Sequence, residues 1–127
     1  MIAVVVDDSR AMRTIEQRAL ESMGWTVRQA ANGLEAIGLL SSLEACDLAL
    51  VDWQMPGMDG LALIKALRAD VRWASLPIIM VSSNAVLDSM QTALDAGAND
   101  FVMKPFSIDA LKERVTETLQ TLGSRHA

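Results

Sequence analysis

Residues 48–67 read Leu-Ala-Leu-Val-Asp-Trp-Gln-Met-Pro-Gly-Met-Asp-Gly-Leu-Ala-Leu-Ile-Lys-Ala-Leu. The apolar run Leu48 to Val51 is too short for a helix and suits a buried strand that delivers Asp52 at its end. Pro56, Gly57 and Gly60 break the pattern and mark Trp53 to Gly60 as a loop. Leu61, Ile64 and Leu67 then recur at helical spacing. Strand, chemistry-bearing loop and helix make one unit, and the same order recurs on both sides of it.

Upstream, Ile2 to Val6 is a second apolar run of strand length. Ser9 can cap a helix carrying Met12, Ile15, Ala19, Leu20 and Met23, which Gly24 closes. Trp25 to Ala30 predicts another strand, and Asn32 can cap a helix with Leu34, Ile37 and Leu40 on one face. Downstream, Pro77 opens a strand over Ile78 to Val81, followed by the polar Ser82-Ser83-Asn84 and a helix that ends at Gly97. Phe101 to Met103 is a short last strand. Ser107 can cap a final helix bearing Ile108, Leu111, Val115, Leu119 and Leu122, and the tail from Gly123 to Ala127 is expected to fray.

This fivefold alternation predicts an α/β fold, a doubly wound parallel sheet with helices on both faces. At 127 residues and 13.7 kDa it fills one domain, residues 1–127. A hydrophobic share of 51% and a mean hydropathy of +0.26 supply a core, while an aromatic share of 4% leaves Leu, Ile, Val, Ala and Met to build it. The methionines at 55, 58, 80, 90 and 103 read as core filler. A net charge of −5 and a pI near 4.7 argue against direct nucleic-acid binding. Cys46 stands alone, so no internal disulfide forms, and a small core residue in a reducing compartment is the expectation. No apolar run approaches the ~20 residues of a membrane span, and the start lacks the marks of a signal peptide, so a cytoplasmic location is expected.

In open parallel sheets, ligands bind beyond the C-terminal ends of the strands. There the sequence places Asp7 and Asp8 after the first strand, Asp52 after the third, Ser82 after the fourth and Lys104 after the fifth. Carboxylates roughly 4–6 Å apart repel, so either their pKa values rise or a cation sits among them. A hard divalent cation with oxygen ligands fits, magnesium best. Zinc does not, because the single histidine, His126, lies in the tail. An aspartate pair after a strand can also be a simple helix cap, but Asp52, Ser82 and Lys104 at the matching strand ends favour a site.

Four segments in register, VVVDDS (4–9), VDWQMPGMDG (51–60), IIMVSS (78–83) and FVMKPF (101–106), resemble the signatures of bacterial response-regulator receiver domains. The chemotaxis-type, single-domain members are the most similar, and the resemblance spans essentially the whole chain. It implies a flavodoxin-like (βα)5 sheet of order 2-1-3-4-5. It implies that Asp52 accepts a phosphoryl group, that Asp8 is the main metal carboxylate and that Asp7 holds the metal through water. The Gln54 backbone carbonyl would complete the shell around Mg2+. Ser82 would be the switch hydroxyl and Lys104 the contact to the phosphoryl group. Phe101 takes the place of an inward-turning switch aromatic, with plain core as its other reading. The chemotaxis regulators carry tyrosine there, and this departure counts against the flagellar motor switch as target. The peptide before Pro105 would be cis. Gln54 and Asn84 occupy positions that tune water access to the phosphate. Trp53 would sit at the rim of the site or be a surface aromatic.

The partners so implied are a sensor histidine kinase or a phosphotransfer domain, and an effector protein at the face formed by the fourth helix, fifth strand and fifth helix. A monomer that is not an enzyme, apart from slow self-dephosphorylation, is expected. Other readings are a phosphate sink or scaffold for a kinase, and a receiver fragment of a larger regulator. A magnesium-dependent phosphohydrolase is disfavoured, because Asp52 is followed by Trp53-Gln54 and no DxD motif is formed. A nucleotide-binding flavodoxin-like protein lacks its glycine-rich phosphate loop.

Overall fold

A computed structural model of the chain describes residues 1–83 and 87–126, with the backbone alone at 87, 88 and 123–126. Asn84 lies outside the described residues. Five strands, β1 (Ile2–Val6), β2 (Thr26–Ala30), β3 (Leu48–Asp52), β4 (Ile78–Ser82) and β5 (Asp100–Met103), alternate with five helices. The helices are α1 (Arg10–Glu21), α2 (Gly33–Ser42), α3 (Gly60–Ala69), α4 (Leu87–Ala96) and α5 (Ile108–His126), and a 3₁₀ turn (Val71–Trp73) precedes β4. All pairings are parallel, in the order β2-β1-β3-β4-β5 expected from the resemblance.

The strands alternate between two cores because successive side chains leave a strand on opposite faces. Val4, Val6, Ala49, Val51, Ile78 and Met80 pack with α2, α3 and Ala93 of α4. Ala3, Val5, Leu48, Leu50, Ile79 and Val81 pack with Ala19 and Leu20 of α1 and Leu111 and Val115 of α5. Burial on both faces is why these strands are apolar without a break.

The sequence-predicted caps form. The Ser9 side chain accepts from the Met12 amide at 3.2 Å, Asn32 from Glu35 at 2.9 Å and Ser107 from Ala110 at 3.0 Å. Several side chains face otherwise than the periodicity predicts. Leu34 is 71% exposed, and α2 instead buries Gly33, Ala36 and Leu40. Residues 33–40 are apolar around much of the helix, so close approach of small residues selects the face, not hydropathy. Trp25 precedes β2 and is buried instead of pairing in it. Met90 and Met103 are exposed, unlike the buried Met55 and Met80. Cys46 is half-buried, its Sγ 3.3 Å from the Leu48 carbonyl, and burial pushes its thiol pKa up. The last helix continues through His126, beyond the point where fraying was expected.

On α1, Ile15 is exposed and Glu16 takes the inward position with Ala19 and Leu20. Only 1% of Glu16 is exposed, and neither carboxyl oxygen has a hydrogen-bond partner among the described residues. Burial drives its pKa well above the ordinary value, repulsion from Asp7 and then Asp52 adds to this, and Lys104 and Arg13 oppose it. Replacing it with an apolar side chain of similar length removes an uncompensated polar group. Glu16→Met is therefore expected to raise stability near neutral pH by about 1–3 kcal/mol. A raised folded-state pKa means the folded protein binds more protons than the unfolded chain, so this penalty is absent below about pH 4 and grows as pH rises toward the folded pKa. Urea unfolding of both proteins across pH checks this. A difference between them that does not grow with pH counts against the buried acid.

Candidate functional site

The C-terminal strand ends carry the chemistry. β1 stops at Val6, and Asp7 follows, fully buried, its backbone amide donating to the Ala30 carbonyl at 3.2 Å. One Asp7 oxygen, Oδ1, accepts from the Ser9 amide at 2.8 Å, which orients the carboxylate at the start of α1. Arg13, one turn into that helix, donates through Nη1 to the Asp7 carbonyl at 2.6 Å. Asp8 is exposed.

Asp52 ends β3 and is 5% exposed. Its position is set from two sides. The next residue, Trp53, donates its amide to the Val81 carbonyl at 3.1 Å, extending the β3–β4 ladder. On the other side, Gly60 at the start of α3 donates its amide to the Trp53 carbonyl at 2.8 Å. A Cβ on Gly60 would collide with the Asp52 carbonyl, so glycine is what lets α3 begin against the strand end. Asp59 caps that helix by accepting from the Ala62 amide at 2.8 Å.

Lys104 completes the cluster from β5. Its amide donates to the Ser82 carbonyl at 2.8 Å, and the Lys104-Pro105 peptide is cis as expected. The Lys104 ammonium lies between two carboxylates, 2.9 Å from Asp7 Oδ2 and 3.0 Å from Asp52 Oδ1. Ser82, buried at the end of β4, stands in register with Met103. Asp7, Asp8, Asp52, Ser82 and Lys104 are thus brought to one edge of the sheet.

Asp7, Asp8 and Asp52 each offer a carboxylate oxygen, and these atoms lie within 4.8 Å of one another. Such a set of hard oxygen donors can hold a metal ion. Gln54 is exposed two residues beyond Asp52, and its place in a metal shell rests on the resemblance. Phe101 is 6% exposed on β5 and meets Trp53 edge to face, with ring centroids 6.5 Å apart and planes at 72°. Trp53 is half-buried. It is therefore not a plain surface aromatic: it links the residue after Asp52 to the candidate switch aromatic.

The charges at the site pull in opposite directions. Burial raises the Asp52 pKa, the Lys104 hydrogen bond opposes this, and Asp7 adds repulsion. Burial alone would lower the Lys104 pKa, but bonds to Asp7 and Asp52 outweigh it and the net shift is upward. One ammonium facing two carboxylates is held charged, whereas each carboxylate is left with a like-charged neighbour. Glu16, which helical periodicity passed over, adds a buried acid to this field from α1. Its signal in the sequence is a carboxylate four residues before Leu20, on the face that the other buried α1 residues define.

A divalent cation should relieve this crowding. In the cation-free protein Asp52 is expected to titrate above the ordinary aspartate value of about 3.9, and saturating magnesium should move that midpoint down. Side-chain carboxyl carbon shifts followed by NMR across pH measure both. A midpoint indifferent to magnesium would argue against a metal at this cluster.

The family model for the response regulator receiver domain matches residues 3–116. The chain is 40% identical over 122 residues to a chemotaxis protein CheY homolog of Campylobacter jejuni, covering 95% of this chain and 94% of that protein. It is 38% identical over 124 residues to chemotaxis protein CheY of Pseudomonas aeruginosa, covering 97% and 99%. Among solved structures, Vibrio cholerae CheY4 superposes with a TM-score of 0.87 at 27% identity, over 92% of this chain and 97% of that one. A probable two-component response regulator/GGDEF domain protein superposes with a TM-score of 0.89 at 34% identity, over 97% of this chain and 50% of that one. With the family model spanning most of its length and the strand order and site cluster in place, this chain belongs to the response regulator receiver domain family.

Proposed function

We propose that this chain is a phosphorylation switch in which Asp52 takes a phosphoryl group from the phosphohistidine of a sensor kinase or phosphotransfer domain. The observation that carries the reading is the Lys104 ammonium seated between the Asp7 and Asp52 carboxylates, at the strand edge where three carboxylate oxygens converge.

An oxygen of the Asp52 carboxylate attacks phosphorus in line with the leaving imidazole. The phosphorus–nitrogen bond breaks, and the imidazole leaves with the electron pair. Magnesium at Asp7, Asp8 and Asp52, with the Gln54 carbonyl, would supply positive charge facing the phosphoryl oxygens. Lys104, held charged by its two carboxylate partners, is placed to neutralise a phosphoryl oxygen on Asp52. Water attacking the same acyl phosphate returns the carboxylate, so the domain is an acceptor with slow self-dephosphorylation.

The signal leaves through Ser82 and Phe101. The Ser82 hydroxyl donates to the new phosphoryl acceptors, and Phe101, two strand positions before Met103, responds to the space so vacated. An effector then reads the surface of α4, β5 and α5. Phenylalanine offers no hydroxyl there, which favours an effector other than the flagellar motor switch, although the relatives named above are chemotaxis proteins. A receiver that serves a longer regulator is favoured by one observation, the solved response regulator/GGDEF protein of which this chain matches half. Among the described residues, no helix is long and apolar enough to cross a membrane.

Intact mass after incubation with acetyl phosphate tests the reading directly. A phosphoryl-sized gain is expected with magnesium, none with a chelator, and none in Asp52→Asn. Failure with both acetyl phosphate and a phosphorylated histidine kinase would leave a scaffold as the better account. Trp53 gives a second readout: its emission should change on magnesium binding, while Trp25 and Trp73, buried around a separate pocket, stay silent. The change should vanish in Trp53→Phe.

A further inference from the structure

Arg68, in the last turn of α3, is half-buried and has no carboxylate partner among the described residues. Its guanidinium is satisfied by uncharged oxygens. Nε donates to the Gly97 carbonyl at 2.9 Å, Nη1 to the carbonyls of Trp73 at 2.9 Å and Ala74 at 3.3 Å, and Nη2 to Asn99 Oδ1 at 2.9 Å. The same Asn99 oxygen accepts from the Ile78 amide at 2.8 Å, and the Asn99 amide donates back to the Ile78 carbonyl at 2.8 Å. Arg68 therefore ties the end of α3 to the 3₁₀ turn and to the residue that closes α4, and through Asn99 to the start of β4.

Gly97 makes room for this. Its φ is +121°, and a Cβ there would lie 2.6 Å from Arg68 Cγ. The chain leaves α4 through bonds from the Gly97 amide to the Leu94 carbonyl and from the Ala98 amide to the Ala93 carbonyl, both 3.0 Å. The C-terminal end of α4 is thus pinned by charge-assisted and backbone bonds together.

The body of α4 is held differently. Among its described side chains, residues 89–96, Ala93 alone is fully buried, with Ala96 packed in part, while Met90 and Leu94 are exposed. Helix α3, by contrast, buries Leu63, Ile64 and Leu67. An alanine contributes little apolar area, so residues 89–96 of α4 rest lightly on the sheet. A helix fixed at one end and lightly packed over its described side chains is a lever.

We propose that Arg68 is the fixed hinge of α4, so that the helix swings about Gly97 while its first turn, nearer Ser82 in the chain, travels. This deepens the phosphorylation reading and depends on it for the trigger, but not for the clasp itself. Ten residues of helix span about 15 Å, so a tilt of roughly 15° about the clasp moves the far end by about 4 Å. Such a device carries a displacement near Ser82 along the face an effector reads, largest at the first turn of α4 and vanishing at Gly97.

Amide hydrogen exchange on the full chain, with and without magnesium and beryllium fluoride as a stand-in for the phosphoryl group, tests this. In the wild type, exchange at residues 94–99 is expected to be the same in both states, while residues 87–90 respond. In Arg68→Met, which keeps the stem over Gly97 and removes the donors, residues 94–99 should exchange about tenfold faster or more even without the phosphoryl analogue. Arg68→Lys should fall between the two. Unchanged protection of the β3 and β4 amides in the variants separates loss of the clasp from loss of the fold. Equal responses at 87–90 and 94–99 in the wild type, or unaltered 94–99 exchange in Arg68→Met, would overturn the proposal. If Asp52 never loads, the phosphorylation reading falls, and the unloaded comparison of wild type with Arg68→Met still decides the clasp.

Discussion

Gathering carboxylates at the mouth of an apolar sheet is an electrostatic problem, and the Lys104 ammonium is the part of this chain that answers it. It bonds two of the three acids and reaches them from the last strand of the sheet, so its position depends on every pairing from β1 to β5. A register slip anywhere in that ladder would separate the ammonium from its partners, because a shift by one residue turns a side chain to the opposite face. The site and the sheet are in this sense one structure. Parallel pairing puts all the relevant strand ends on one edge, and the ammonium compensates the charge collected there.

The compensation is partial. Two carboxylates share one ammonium, Asp8 lies beside them, and Glu16 adds a buried acid from α1. The excess negative charge suits the edge to a cation, while burial first, and repulsion from Asp7 after it, keep Asp52 from ionising as readily as a free aspartate. On the proposed reading, a nucleophile held back in this way is released when positive charge arrives, which would couple readiness for phosphoryl transfer to occupancy of the cation site.

Much of this was legible in the sequence, for a physical reason. Strands buried on both faces leave uninterrupted apolar runs, and caps and glycines mark where helices begin and end, so Asp7, Asp52, Ser82 and Lys104 could be placed at strand ends. Which face of a helix turns inward was less legible. The α2 helix is apolar nearly all round, and small residues selected the face that excludes Leu34. Glu16 broke the expected pattern because a carboxylate occupies an inward position that hydropathy assigns to an apolar residue. Arg68 carried no sequence signal, since its partners are backbone carbonyls and an amide side chain brought near by tertiary folding. Strand order came from family resemblance, because the alternation of strands and helices admits more than one order.

The division of each strand between two cores carries an evolutionary consequence. The α1–α5 layer and the α2–α3–α4 layer meet mainly through the backbone of the sheet, with alternate side chains committed to one or the other. Substitutions in separate layers share few partners, so their effects on stability should be close to additive. A lineage can then remodel the layer that contains α4, and so the surface shown to an effector, while the layer behind Asp7 keeps its packing. On the proposed reading, recognition can diversify while the phosphoacceptor chemistry stays where it is.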